Sequence, residues 1–155
     1  MPFPPSIIDR VAACADVPLS ARRLRELDDA ERLILWALRH RVAEGDPASA
    51  HLVNAFDVLC RPGAGAGARR ALERLVVRLE TFARRPLAFF DWCNDALTVD
   101  EAALLALCAE ASAGHSTPAG LDELVLPEGV AAVREAVRAF VHLGWGTNSP
   151  RRDST

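Results

Sequence analysis

Apolar residues recur along most of this chain at intervals of three and four, the rhythm that gathers one face of an α-helix. No segment shows the sustained alternation or the β-branched enrichment that a strand would need. Residues 6–15 place Ile7, Ile8, Val11 and Cys14 on one side and read as an N-terminal arm that Pro18 ends. Residues 20–27 read as a short surface helix carrying Arg22, Arg23 and Arg25, with Ser20 as its cap and Leu19 and Leu24 at the positions of a hydrophobic staple.

The first major helix is expected over residues 28–44, where Asp28 and Glu31 form a capping-box pair and Gly45 supplies a left-handed end. Its apolar surface is wide, taking in Leu33, Ile34, Leu35, Trp36, Leu38 and Val42, so neighbours should cover it on more than one side. Asp46 and Pro47 form a cap and first-turn pair for a helix to residue 60 with the stripe Leu52, Val53, Phe56, Leu59 and Cys60. The run from Arg61 to Gly67 breaks the pattern as a flexible connector.

Residues 68–84 form the clearest amphipathic helix, with Leu72, Leu75, Val76, Leu79, Phe82 and Ala83 as its stripe and Pro86 as its stop. Thr98 and Glu101 make a capping box for the next helix, which buries Ala102, Leu104, Leu105 and Cys108 and ends near Gly114. Residues 115–127 read as loop with one helical turn after Thr117 and Pro118. A last helix over residues 128–143 turns Val130, Val133, Val137, Phe140 and Val141 inward. The fold class is therefore all-α: a single compact domain of five or six mostly antiparallel helices, its packed part at about residues 20–144 and its ends (1–5 and 147–155) flexible. The Glu-Arg-Leu triplets at residues 31–33 and 73–75 are too few to establish a repeat.

Composition supports a globular domain and narrows its setting. A chain of 155 residues can bury roughly 70% of the surface its unfolded form exposes, so it needs no metal or disulfide to fold. All 18 basic residues are arginine, with no lysine, tyrosine or glutamine, a bias that a GC-rich bacterial genome explains without any recognition role. The run from Leu33 to Leu38 is the longest apolar stretch on a charged background, far short of the ~20 residues that cross a bilayer. The N-terminus lacks a secretory pattern, so no membrane association and a cytoplasmic location are expected. Cys14, Cys60, Cys93 and Cys108 are scattered without a C-x-x-C pair, which predicts reduced thiols.

Candidate chemistry concentrates on one helix and the segment after it. At about 100° per residue, Arg70, Arg74, Arg78 and Arg85 share one exposed flank, while Glu73 and Glu80 fall on the other side of the solvent face. Same-sign neighbours at this spacing repel, so something acidic is expected opposite them. Aspartates on a neighbouring helix or at residues 91–95 would satisfy the row internally, and an acidic protein surface would satisfy it from outside. Nucleic acid is the weaker third reading, because a net charge of −3 without neighbouring stacking aromatics disfavours phosphate binding. A helix-turn-helix fares no better, since the helix after Gly45-Asp46-Pro47 has no basic residue before Arg61.

The segment from Arg84 to Asp95 holds Phe89, Phe90 and Trp92, aromatics that either plug the end of a bundle or anchor an interface. Cys93 lies between Asp91 and Asp95, whose charges disfavour a thiolate nucleophile. The glycine run lacks the lysine and hydroxyl residue of a P-loop and follows a helix, not a strand. His40, His51, His115 and His142 have no ligand spacing among themselves or with cysteine, and no Glu-x-x-His or hydrolase signature occurs. Neither a cofactor nor catalysis is expected. The sequence reads as a non-enzymatic interaction or regulatory protein that binds a protein partner, possible homo-oligomers included, through Arg70, Arg74, Arg78, Arg85 and Trp92. The alternative is a bundle that holds a ligand or metal in its interior through a histidine and a cysteine.

Overall fold

The computed structural model describes residues 18–46, 49–60, 63–91, 93–114 and 120–142. Helix accounts for 70% of the described residues, in six α-helices and two 3-10 turns, and a small two-stranded sheet is added to them. In chain order the elements are β1 (Leu19–Arg23), α1 (Asp29–Glu44), α2 (Ala50–Leu59), α3 (Gly65–Phe82), β2 (Ala96–Thr98), α4 (Val99–Ser112), α5 (Leu121–Leu124) and α6 (Val130–His142). Single 3-10 turns lie at Leu24–Glu26 and Pro127–Gly129. The expected arm at residues 6–15, Pro47, Trp92, Thr117, Pro118 and the tail from residue 143 lie outside the described residues, as does the side chain of Leu59.

The sheet corrects the expectation of helices alone. Residues 19–23 are extended because their backbone finds a distant partner: Leu19 pairs with Thr98 and Arg23 with Ala96, antiparallel. Unequal spacing between those pairs makes β1 bulge. There the Ser20 hydroxyl accepts the Arg22 N–H at 3.1 Å instead of capping a helix. Leu19 is exposed, so no staple forms. A strand this short leaves no usable period in the sequence, and its partner lies in what reads as a connector.

The helix ends follow their local chemistry more closely. The Asp28 carboxylate accepts the Glu31 N–H at 2.8 Å, and Gly45, at φ 67°, closes α1 in the left-handed region. Arg22 of β1 then clamps the capping residue Glu31 at 2.8 Å. Ser49, not Asp46, caps α2, accepting the Leu52 N–H at 3.3 Å. Helix α3 starts inside the expected connector: Gly65 is already helical, and a Cβ there would lie 2.7 Å from Asp57 Oδ1 and 3.1 Å from the Phe56 carbonyl oxygen. Glycine lets α2 and the first turn of α3 approach that closely.

One hydrophobic cluster takes residues from all six helices and from Leu87, Phe89 and Leu97. The predicted stripes point into it: Ile34, Leu35, Leu38 and Val42 of α1; Leu52 and Phe56 of α2; Leu72, Leu75, Val76 and Leu79 of α3; Leu104, Leu105 and Cys108 of α4; Val133, Val137 and Phe140 of α6. Helix α3 packs chiefly on α6 and α2, α4 packs on α6, and α1 touches α2, α3 and α4. The far end of α3 is fastened by main-chain bonds, Leu126 N–H to the Phe82 carbonyl at 2.8 Å and Arg84 N–H to the Leu124 carbonyl at 3.0 Å. No helix among the described residues is long and apolar enough to cross a membrane.

Candidate functional site

The segment from Ala83 to Asp95 must satisfy its backbone without a helix or a long ladder, and two adjacent carboxylates at the start of α4 do much of that work. The Asp100 carboxylate accepts the Ala88 N–H at 2.8 Å and a bidentate pair of bonds from Arg85 at 2.8 and 2.7 Å. The Glu101 carboxylate accepts the Phe90 N–H at 2.9 Å and, closing the capping box, the Thr98 N–H at 3.0 Å. Thr98 donates its hydroxyl to the Ala88 carbonyl at 2.7 Å.

From the opposite side Arg39 of α1 reaches the same centre. Its Nε donates to Glu101 Oε1 at 2.8 Å and its Nη2 to Oε2 at 3.0 Å. The remaining contacts run to the carbonyls of Asn94 and Ala96, both at 2.8 Å. Arg39 is 1% exposed and Glu101 0%. A charge pair taken out of water is tolerable here because nearly every donor and acceptor has a partner. Sequence reasoning missed this pair although the signal was there: Arg39 stands at an inward position beside Leu35, Leu38 and Val42, and Glu101 beside Leu104, Leu105 and Cys108.

With its backbone held in this way, the connector turns Phe89 and Phe90 into the interior, so these two aromatics are buried plugs and not surface anchors. Trp92, the third, lies outside the described residues.

The arginine flank of α3 divides into two groups. Arg85 lies in the loop just past the helix and is bound to Asp100 of α4, an internal partner on a neighbouring helix, and that bond holds its guanidinium protonated beyond the ordinary arginine value. Arg84 beside it donates to the Asp122 carbonyl at 2.7 Å. Arg70, Arg74 and Arg78 are exposed, and none of them forms a side-chain hydrogen bond or ion pair with another described residue. Val77 stands among them, 44% exposed.

The acids of α3 face another way. Glu73 forms a bidentate pair with Arg41 of α1, Nη2 to Oε1 at 2.7 Å, and Glu80 adds to the negative field that keeps Arg41 charged. Helix α3 thus turns Glu73 toward α1 and three of its four arginines toward solvent, while Arg69 is half-buried.

Two histidines meet where the sequence shows no spacing between them. His40 and His51, on α1 and α2, place their Nδ1 atoms 3.2 and 3.0 Å from the same Glu44 oxygen. The Ser49 hydroxyl, followed by the two imidazoles, lowers the Glu44 pKa below the usual carboxylate range. Among the described residues no group of three histidine, cysteine or acidic side chains could hold a metal ion. Of the cysteines, Cys60 and Cys108 are buried and Cys93 is exposed, all as free thiols. Burial pushes the Cys108 pKa up to about 12, which makes it an inert core residue.

No family model matches this chain, and no curated protein and no solved structure matches it significantly.

Proposed function

We propose that this chain is a non-enzymatic interaction or regulatory module that docks an acidic protein partner on the exposed flank of α3, its helices forming one compact, mostly antiparallel bundle behind that face. One observation carries the reading: Arg70, Arg74 and Arg78 line a solvent-facing flank and pair with no acidic side chain among the described residues, while Glu73 of α3 is bound to Arg41 and Arg85 past its end is bound to Asp100. Like charges one turn apart cost a few tenths of a kcal/mol per pair, and a partner carrying carboxylates converts that cost into attraction. Arg85 belongs to the loop it holds, and Trp92, also read from the sequence as a contact residue, lies outside the described residues.

Arg74→Glu combined with Arg78→Glu tests the reading. The double variant is expected to melt at nearly the wild-type temperature and to lose a partner that the wild-type chain recovers in a pull-down. A large drop in melting temperature would assign the row to the fold itself, and unchanged recovery would remove it from the contact.

A further inference from the structure

We infer that the partner segment is an acidic amphipathic helix crossing α3 over its arginine row, with carboxylates one turn apart and an aliphatic side chain over Val77. The inference rests on the docking role proposed above and adds the shape of what docks. Arg70, Arg74 and Arg78 recur every four residues, so the row advances about 6 Å per step and about 12 Å in all. A helix carrying Asp or Glu at the same interval has the same rise and the same drift of about 40° per step, so the two rows lie over each other when the axes cross at about −50°, and each carboxylate then meets one guanidinium in register. Such a helix has its own backbone bonds already made, and the face of α3 has none to give. An extended strand presents same-side residues about 6.7 Å apart, drifts out of step along the row, and leaves its backbone without partners against a helix.

Val77 decides between a protein and a polyanion. It lies one turn beyond Arg74 and next to Arg78, and at 44% exposure it offers an apolar contact inside the charged row. A helix that alternates carboxylates with a leucine or valine covers it, whereas a phosphate backbone would only desolvate it. Three arginines on a chain of net charge −3 also form a small footprint for nucleic acid.

The experiment uses the full chain and two synthetic peptides of equal length, composition and helicity, read by fluorescence polarisation. In one peptide the glutamates recur every four residues beside a leucine; in the other they are dispersed around the helix. The first is expected to bind at least about tenfold tighter, a preference that Arg74→Ala and Val77→Asp each remove without shifting the thermal melt. Equal binding of both peptides, reduced for both by Arg74→Ala, would overturn the helical partner and leave the acidic-partner reading standing. A duplex DNA that competes as well as the first peptide would overturn the protein partner in favour of a polyanion. Binding of neither peptide would overturn the inference, and the pull-down of the Arg74 and Arg78 double variant then decides the broader reading by itself.

Discussion

Arg39 and Glu101 come from helices far apart in the chain and meet inside the protein as a bidentate pair, with contacts of 2.8 and 3.0 Å. The pair does more than neutralise itself. Glu101 also receives two backbone N–H groups, and Arg39 also covers two backbone carbonyls, so together they fix the course of the chain from Phe90 to Thr98. A loop tied by side chains in this way keeps Phe89 and Phe90 in the core and presents Leu97 to it.

That arrangement makes the pair hard to replace. Glu101→Ala leaves a buried guanidinium without a counter-ion and is expected to destabilise the fold by about 3–5 kcal/mol in urea unfolding. An isolated buried pair can often be exchanged for apolar residues at little cost, but Arg39→Met with Glu101→Leu here leaves the Phe90 and Thr98 N–H groups unsatisfied. The double variant is therefore expected to remain at least about 2 kcal/mol less stable than wild type. A double variant as stable as wild type would show that the backbone contacts contribute nothing.

The arginines of the α3 flank should separate by stability alone. Arg85→Ala removes the partner of a buried carboxylate, Asp100 being 4% and Arg85 57% exposed, and after allowance for solvent screening the expected loss is about 1–2 kcal/mol. Arg70→Ala, Arg74→Ala and Arg78→Ala should each stay within about 0.5 kcal/mol of wild type. Thermal or urea denaturation of the four single variants checks the contrast, and a loss at Arg74 as large as that at Arg85 would contradict it.

Thiol reactivity follows burial. Cys93 is expected to react with iodoacetamide in the folded protein, while Cys60 and Cys108 stay unlabelled until denaturant is added, as peptide mass spectrometry would show. Cys108 also bears on alkaline stability. Its folded pKa, about 12, lies above its ordinary value of 9.0, so its contribution is fully present below pH 9 and is lost as pH rises from there toward 12. The slope is at most about 1.4 kcal/mol per pH unit for this thiol, and Cys108→Ala should flatten that limb of the stability curve.

Gly129 and Phe82 are coupled sterically. A Cβ at residue 129 would lie 2.2 Å from Phe82 Cγ, so Gly129→Ala forces the ring or the turn to move. The expected cost is about 1–3 kcal/mol. The Phe82 Cβ lies as close, at 2.3 Å, so only Phe82→Gly clears the obstacle, and the double variant should be less destabilised than the sum of the two single changes; strict additivity in a double-mutant cycle would refute the contact.

Much of this protein was legible from the chain alone. The helical stripes at Leu35, Leu38 and Val42, at Leu72, Leu75 and Leu79, and at Val133, Val137 and Phe140 all face the interior, and the caps at Asp28, Gly45 and Thr98 act where local chemistry places them. Both follow from forces that reach no further than one or two turns: burial at a fixed period, and backbone groups at a helix end that take the nearest side-chain partner.

Tertiary structure decided what depends on distant partners. It made residues 19–23 a strand through bonds to β2, bound Arg85 to Asp100 while Arg70, Arg74 and Arg78 stayed in solvent, and joined His40 to His51 through Glu44. It also turned Arg39, one more arginine on a helix, into the centre of a buried network. The physical reason is the same each time: a charge or an extended backbone is stable only beside a complementary group, and which groups become neighbours is set when the helices pack.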